Sequence, residues 1–225
     1  MQQNTLGTHS YRVKMSIYCN LALPTLFKKK WYKPEDMSLH VVCGPMFSGK
    51  STELQRRLRR FAIAGKRTLA ITHALDSRYD TSSCTDRPGM VTHDKRMHVA
   101  IRTECLTATC SPELLDSVDV IAVDEGQFYE SDDLIVFVKT AMRSQKIVLI
   151  AALDGNYLRE PYPHVCALCA LATTFTKLSA VCVRCGSDAP YSHRTIVDDA
   201  PVLIGAETEY EALCYLCFEA AIEKK

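Results

Sequence analysis

The sequence predicts an α/β fold: a parallel sheet with helices on both faces, followed by a small cysteine-rich unit. Three observations predict it. Two apolar runs, VDVIAV (118–123) and KIVLIAAL (146–153), lack alternation, as strands buried on both faces do. A helical stretch, SDDLIVFVKTAMRS (131–144), separates them and carries Asp132 and Asp133 in its first turn. From about Pro161 the character changes to cysteine-rich, with Pro190, Pro201 and Gly205.

Taken in order, residues 1–37 read as a flexible N-terminal extension. Its first 34 residues hold no acid but include Arg12, Lys14, Lys28, Lys29, Lys30 and Lys33, a bias shared with organelle transit peptides. A non-catalytic tail is the expectation. A strand follows at 39–43, then a glycine-bracketed loop, then a helix over 51–64. In that helix Leu54, Leu58 and Phe61 recur at helical spacing, and Arg56, Arg57, Arg59 and Arg60 read as its solvated face. Gly65 suits the helix C-terminus, and RTLAIT (67–72) reads as the next strand. Residues 74–98 are polar and read as a long loop, of the kind that is functional or mobile. The domains are therefore expected at 38–160, the α/β nucleotide-binding core, and 161–225, the small appendage.

Composition narrows the class. With 225 residues and 47% hydrophobic content, the chain can bury one ordinary core plus an appendage. A formal charge of +1 argues against broad binding to nucleic acid or acidic lipid. No apolar stretch nears the roughly 20 residues of a membrane span. Near the N-terminus, SIYCNLALPTLF is broken by Asn20 and Pro24 and precedes its lysines, so it makes a poor export signal. Eleven cysteines then read as reduced thiols in the cytoplasm, some of them on metal.

Gly44-Pro45-Met46-Phe47-Ser48-Gly49-Lys50-Ser51 matches G-x-x-x-x-G-K-[ST] and runs on into Thr52. Such a loop turns backbone N–H groups onto phosphate oxygens at the positive end of the next helix. Lys50 reaches the terminal phosphates and the Ser51 hydroxyl can ligate Mg²⁺. VIAVDE then ends a buried strand with Asp124 and Glu125, where the ligand crevice of an open parallel sheet lies. Asp124 suits a Mg²⁺ contact, and Glu125 can accept a proton from an attacking hydroxyl. ATP or a similar nucleotide is the expected ligand. A guanine-reading Asn-Lys-x-Asp does not occur.

Three C-x-x-C pairs remain: Cys166/Cys169, Cys182/Cys185 and Cys214/Cys217. Two such pairs complete a tetrahedral zinc site. Twelve residues between Cys169 and Cys182 favour the first two pairs, whereas the polar, glycine-terminated AVCVRCGSD favours the last two. Spacing leaves that choice open. A zinc-ribbon nucleic-acid module with an ATPase switch is the competing expectation. The charge and the lack of clustered basic and aromatic residues around 182–217 count against it.

GPMFSGKSTEL, DSRY (76–79), DEGQF (124–128), AALDG (151–155), KLSAVCVRC (177–185) and the final Y-x-x-x-C-x-x-C (210–217) resemble the type II, cytosolic-type thymidine kinases. The resemblance runs from about Leu39 to Phe218. It implies a P-loop (RecA-like) sheet with a zinc-binding subdomain carrying a lasso loop. It also implies transfer of the γ-phosphate of ATP to the 5′-hydroxyl of thymidine, and of deoxyuridine, in nucleotide salvage. On this resemblance Glu125 is the catalytic base, and Ser51, Asp76 and Asp124 surround Mg²⁺. Arg78, Gln127 and Phe128 meet substrate, Phe128 packing on the pyrimidine. Met46, Leu153, Tyr157 and Tyr162 line the base pocket, the two tyrosines replacing the family's usual phenylalanines. Ser192 and Tyr210 contact the nucleoside, and Pro201, Val202, Leu203, Ile204 and Gly205 form the lasso. The zinc ligands become Cys182, Cys185, Cys214 and Cys217, leaving Cys166 and Cys169 as core or surface thiols. A homotetramer inhibited by thymidine triphosphate is also implied, with no nucleic-acid or membrane partner.

Overall fold

The computed structural model describes residues 37–75, 89–91, 97–196 and 209–223, with backbone alone for 89–91 and 97–99. All lie in one compact unit, Lys33–Lys225. In chain order the first elements are β1 (Ser38–Cys43), α1 (Lys50–Ile63), β2 (Thr68–His73), an antiparallel pair β3 (Gly89–Val91) and β4 (Met97–Val99), and β5 (Ile101–Thr103). Next come α2 (Leu106–Thr109), α3 (Pro112–Ser117), β6 (Val120–Val123), a 3-10 turn at Gly126–Phe128, α4 (Ser131–Arg143) and β7 (Ile147–Ala152). α5 (Pro163–Leu168) and β8 (Thr174–Lys177) follow. Six strands form one sheet in the order β5-β2-β6-β7-β1-β8, every pairing parallel.

Successive residues of β6 and β7 enter two different cores. Ile121, Val123, Val148 and Ile150 pack with Leu134, Phe137 and Val138 of α4. Ala122, Leu149 and Ala151 pack with Leu54 and Leu58 of α1 on the other face. Neither set faces water, which is why these strands read as unbroken apolar runs.

Two local features depart from the sequence expectation, and a third decides between its alternatives of core and surface. Strand β8 lies past residue 160 and pairs with β1 from His40↔Thr174 to Cys43↔Lys177. It is a mostly exposed edge strand, so no apolar run announces it. Arg57 is not on the solvated face: its guanidinium is half-buried, 2.7 Å from Glu53 and 3.3 Å from Thr176 of β8. Cys166 and Cys169 are exposed, because Val165 and Leu168 take the buried side of α5.

The cysteine-rich unit pairs β9 (Ala180–Val181) with β10 (Asp188–Ala189), and β11 (Tyr191–Arg194) with β12 (Tyr210–Leu213), and closes with α6 (Tyr215–Ile222). Its core is thin: Ala180, Cys182, Ala189, Ala212, Leu213, Phe218 and Ala221. Four of those seven are alanine, so apolar burial alone holds this unit weakly. Among the described residues no helix is long and apolar enough to cross a membrane.

Candidate active site

The phosphate loop leaves β1 at Gly44, whose φ is +146°. A Cβ there would stand 2.4 Å from the Leu178 carbonyl oxygen, so the position requires glycine on space and on backbone alike. Gly44→Ala is accordingly expected to cost about 2–3 kcal/mol and to lower the midpoint of a thermal melt. An unchanged midpoint would remove this account of the loop. Further on, Phe47 and Gly49 also take left-handed φ values, +64° and +80°, which curl the chain before α1. Lys50 Nζ donates to Pro45 O at 2.7 Å and Ser48 Oγ donates to the same oxygen at 2.8 Å, so the lysine folds back over its own loop. Ser51 lies in the first turn of α1, half-buried, with Thr52 exposed beside it.

Two carboxylates end β6. Asp124 is buried and its Oδ1 accepts the Glu125 N–H at 2.9 Å. Glu125 adopts a left-handed φ of +55°, an uncommon backbone for this residue that re-aims its side chain. Its Oε2 accepts from Gln127 Nε2 at 2.5 Å, while Gln127 Oε1 accepts the Leu153 N–H at 2.9 Å. Gln127 is buried, so it is a fixed bracket between the base candidate and the end of β7. His164 of α5 stands behind it, with Nε2 3.2 Å from the Gln127 carbonyl oxygen. Phe128 lies half-buried, its ring 5.8 Å from that of His73.

The residues expected at the base pocket come from the phosphate loop, the turn before α5, β11 and β12. Tyr162 packs against the main core, and burial pushes its phenol up; Tyr210 and Glu125 push the same way and Arg194 opposes them. These four groups therefore share one electrostatic neighbourhood. Ser192 Oγ accepts the buried Met46 N–H at 2.9 Å, tying β11 to the phosphate loop. Arg194, opposite Tyr210 in the ladder, is fully buried. Its Nη2 donates to Tyr210 Oη at 2.9 Å and its guanidinium stacks 3.8 Å from the Tyr157 ring centre. Sequence reasoning missed Arg194. The period of two along a strand was the available signal, since it puts Arg194 on the face of Ser192.

The sulfurs of Cys182, Cys185, Cys214 and Cys217 all lie within 4.8 Å of one another, with Cys185 and Cys214 at 3.5 Å. A tetrahedral zinc with sulfur at about 2.3 Å needs sulfur pairs about 3.8 Å apart, which this set meets after small adjustments. The donor chemistry fits as well. Against the penalty of burial, backbone N–H groups of Cys214, Arg184 and Cys185 bring the Cys182 thiol down to about 6. Sulfur hydrogen bonding, first from Cys214, holds Cys217 up at about 12 instead. A dication is what allows all four to be thiolates at once. Gly186 turns the first knuckle at φ +76°, returning its N–H to Cys182 O at 2.8 Å. Asp76, Arg78, Pro201, Val202, Leu203, Ile204 and Gly205 lie outside the described residues.

Comparison with known proteins bears on this arrangement. A family model described as "Thymidine kinase" matches residues 37–218. The chain is 40% identical over 180 residues to "Thymidine kinase, cytosolic" of Homo sapiens, covering 80% of this chain and 72% of that one. It is 39% identical to "Thymidine kinase 1" of Dictyostelium discoideum, covering 81% and 78%. A "Thymidine kinase" of Myxoma virus (strain Uriarra) is 36% identical, covering 80% and 95%.

Proposed function

The chain belongs to the thymidine kinase family, and we propose that Glu125 is the general base of its reaction. The reaction is phosphorylation of thymidine by ATP, a step of deoxynucleotide salvage. The supporting observation is the bracket at Gln127, which holds one Glu125 oxygen at 2.5 Å and anchors to Leu153 at 2.9 Å. The other Glu125 oxygen is the one assigned to the nucleoside. It takes the 5′-hydroxyl proton as that oxygen attacks the γ-phosphorus in line. Lys50 and the loop amides from Phe47 to Lys50 bind the charge that moves onto the phosphoryl oxygens.

Ser51 and the buried Asp124 suit a magnesium ion, being oxygen donors at the phosphate end of the sheet. When bound with ATP, that ion supplies positive charge to the triphosphate. Met46, Phe128, Leu153, Tyr157, Tyr162, Ser192 and Tyr210 are assigned to the nucleoside. Asp76, Arg78 and the lasso 201–205 are assigned by family resemblance. Cys182, Cys185, Cys214 and Cys217 would hold zinc, which would tie down the base of the loop between β11 and β12. The same resemblance extends to deoxyuridine as a second acceptor, inhibition by thymidine triphosphate, a homotetramer, a cytoplasmic location and a non-catalytic extension at 1–37.

The test is ADP release that depends on added thymidine. Wild-type protein is expected to show it, and Lys50→Ala is expected to lose about 10²–10³-fold in kcat. Equal ADP release with and without thymidine would make the chain an ATPase instead.

A further inference from the structure

Arg159 holds a left-handed backbone conformation, φ +66°, without being glycine. It sits in the turn that joins β7 to α5. That turn is closed by a bridge between Gly155 and Pro161 and by Asn156, whose Oδ1 accepts the N–H groups of Leu158 and Glu160, each at 2.9 Å. An arginine stays in such a conformation only where surrounding contacts over-determine it. Some lie within the turn, where the Arg159 N–H donates to Asn156 O at 3.0 Å and the Asn156 N–H to Glu160 O at 2.9 Å, and others come from the cysteine-rich unit. The guanidinium lies 4.6 Å from the Phe218 ring centre, 5.6 Å from Tyr191 and 5.7 Å from Tyr215. Arg159 Nη1 also donates to Glu219 Oε1 at 2.6 Å.

Both ends of this contact matter. On one side, Tyr215 and Phe218 directly follow Cys214 and Cys217 in the chain, so a metal on those cysteines would fix where the two rings stand. On the other side, the turn carries Tyr157, stacked under Arg194, and ends at Tyr162, which feels the charge of Glu125. The Arg159 side chain thus crosses from the segment of Cys214 and Cys217 to the turn that carries Tyr157 and Tyr162. An exposed ion pair alone would do little. A cation among three rings, in a backbone that resists its place, is a different case.

We propose that Arg159 is a positioning residue for the nucleoside. It clamps the 154–162 turn to the aromatic box of Tyr191, Tyr215 and Phe218, so that the cysteine site sets the position of Tyr157 and Tyr162. This rests on the assignment above of those two tyrosines to the nucleoside pocket.

The discriminating variant is Arg159→Gly, which removes the side chain while leaving a residue that favours the same backbone. It is expected to raise the KM for thymidine about 5–20-fold, the summed range of solvent-exposed cation–π and ion-pair contacts. The KM for ATP and the zinc content should stay as in wild type, and hydrogen exchange across 154–162 should speed up. Arg159→Lys, which keeps charge without the flat guanidinium, is expected to fall between. Glu219→Gln, which leaves the turn untouched, should move the same way by less. Chelation of the metal from wild-type protein should speed exchange across 154–162 as Arg159→Gly does. If Arg159→Gly keeps wild-type thymidine KM and wild-type exchange, the clamp is wrong and only the backbone mattered. A lower melting temperature with unchanged thymidine KM also overturns it, since that marks a purely structural contact. Absence of thymidine phosphorylation in wild-type protein would sink the kinase assignment alone, and the exchange measurements would still decide the clamp.

Discussion

Glu125→Gln is expected to lower the rate of thymidine phosphorylation by about 10²–10⁴-fold, the usual worth of a positioned general base. The change is close to isosteric. A glutamine at this place still has an oxygen to accept from Gln127 Nε2, now at 2.5 Å from the carboxylate, and its backbone tolerates the left-handed conformation about as well. The melting temperature and ATP affinity are therefore expected to match wild type. What disappears is a group able to accept the 5′-hydroxyl proton. The check is a single-turnover measurement, which separates chemistry from product release. Near wild-type single-turnover rates would show that Glu125 is not the base.

The second large effect concerns the metal. Wild-type protein is expected to contain about one zinc per chain. Cys214→Ser should lose it and Cys166→Ser should keep it, because Cys166 is exposed on α5 outside the cluster. Structural zinc contributes on the order of 10 kcal/mol in small zinc domains. The unit it would hold has a core of seven residues, four of them alanine, too little to compensate. Cys214→Ser should thus lose cooperative melting of 180–222 and raise the thymidine KM far more than the ATP KM. Metal analysis and calorimetry together check this. Zinc loss in Cys166→Ser would instead favour the pairing of Cys166/Cys169 with Cys182/Cys185.

Much of this was legible in the sequence, for a physical reason. β1, β6, β7, α1 and α4 are buried on two faces or amphipathic at a clear period, so hydrophobicity alone outlines them. The phosphate loop and the DE pair are contiguous motifs, and contiguous motifs survive in one dimension. β8 escaped because an edge strand in contact with water needs no apolar run. Arg57 escaped because the helix period marks it as exposed, whereas its half-burial depends on the β8 edge lying alongside. Spacing could not choose between cysteine pairs, since C-x-x-C describes the local knuckle and not its partner. Only the approach of 182–185 to 214–217 decides that. Arg194 and Arg159 escaped for a related cause: each owes its surroundings to chain segments far away in sequence.

The hydrogen bond from Met46 N–H to Ser192 Oγ, 2.9 Å long and buried, joins the regions assigned to the two substrates directly. One end is an amide of the loop assigned to triphosphate, the other a hydroxyl on the strand assigned to thymine. A ligand that moves either end changes the free energy of the other. Such coupling is reciprocal by thermodynamic necessity, so thymidine must alter ATP affinity by the same factor that ATP alters thymidine affinity. Discrimination between nucleosides can then be felt as a difference in hold on the phosphate donor, through one amide and one hydroxyl.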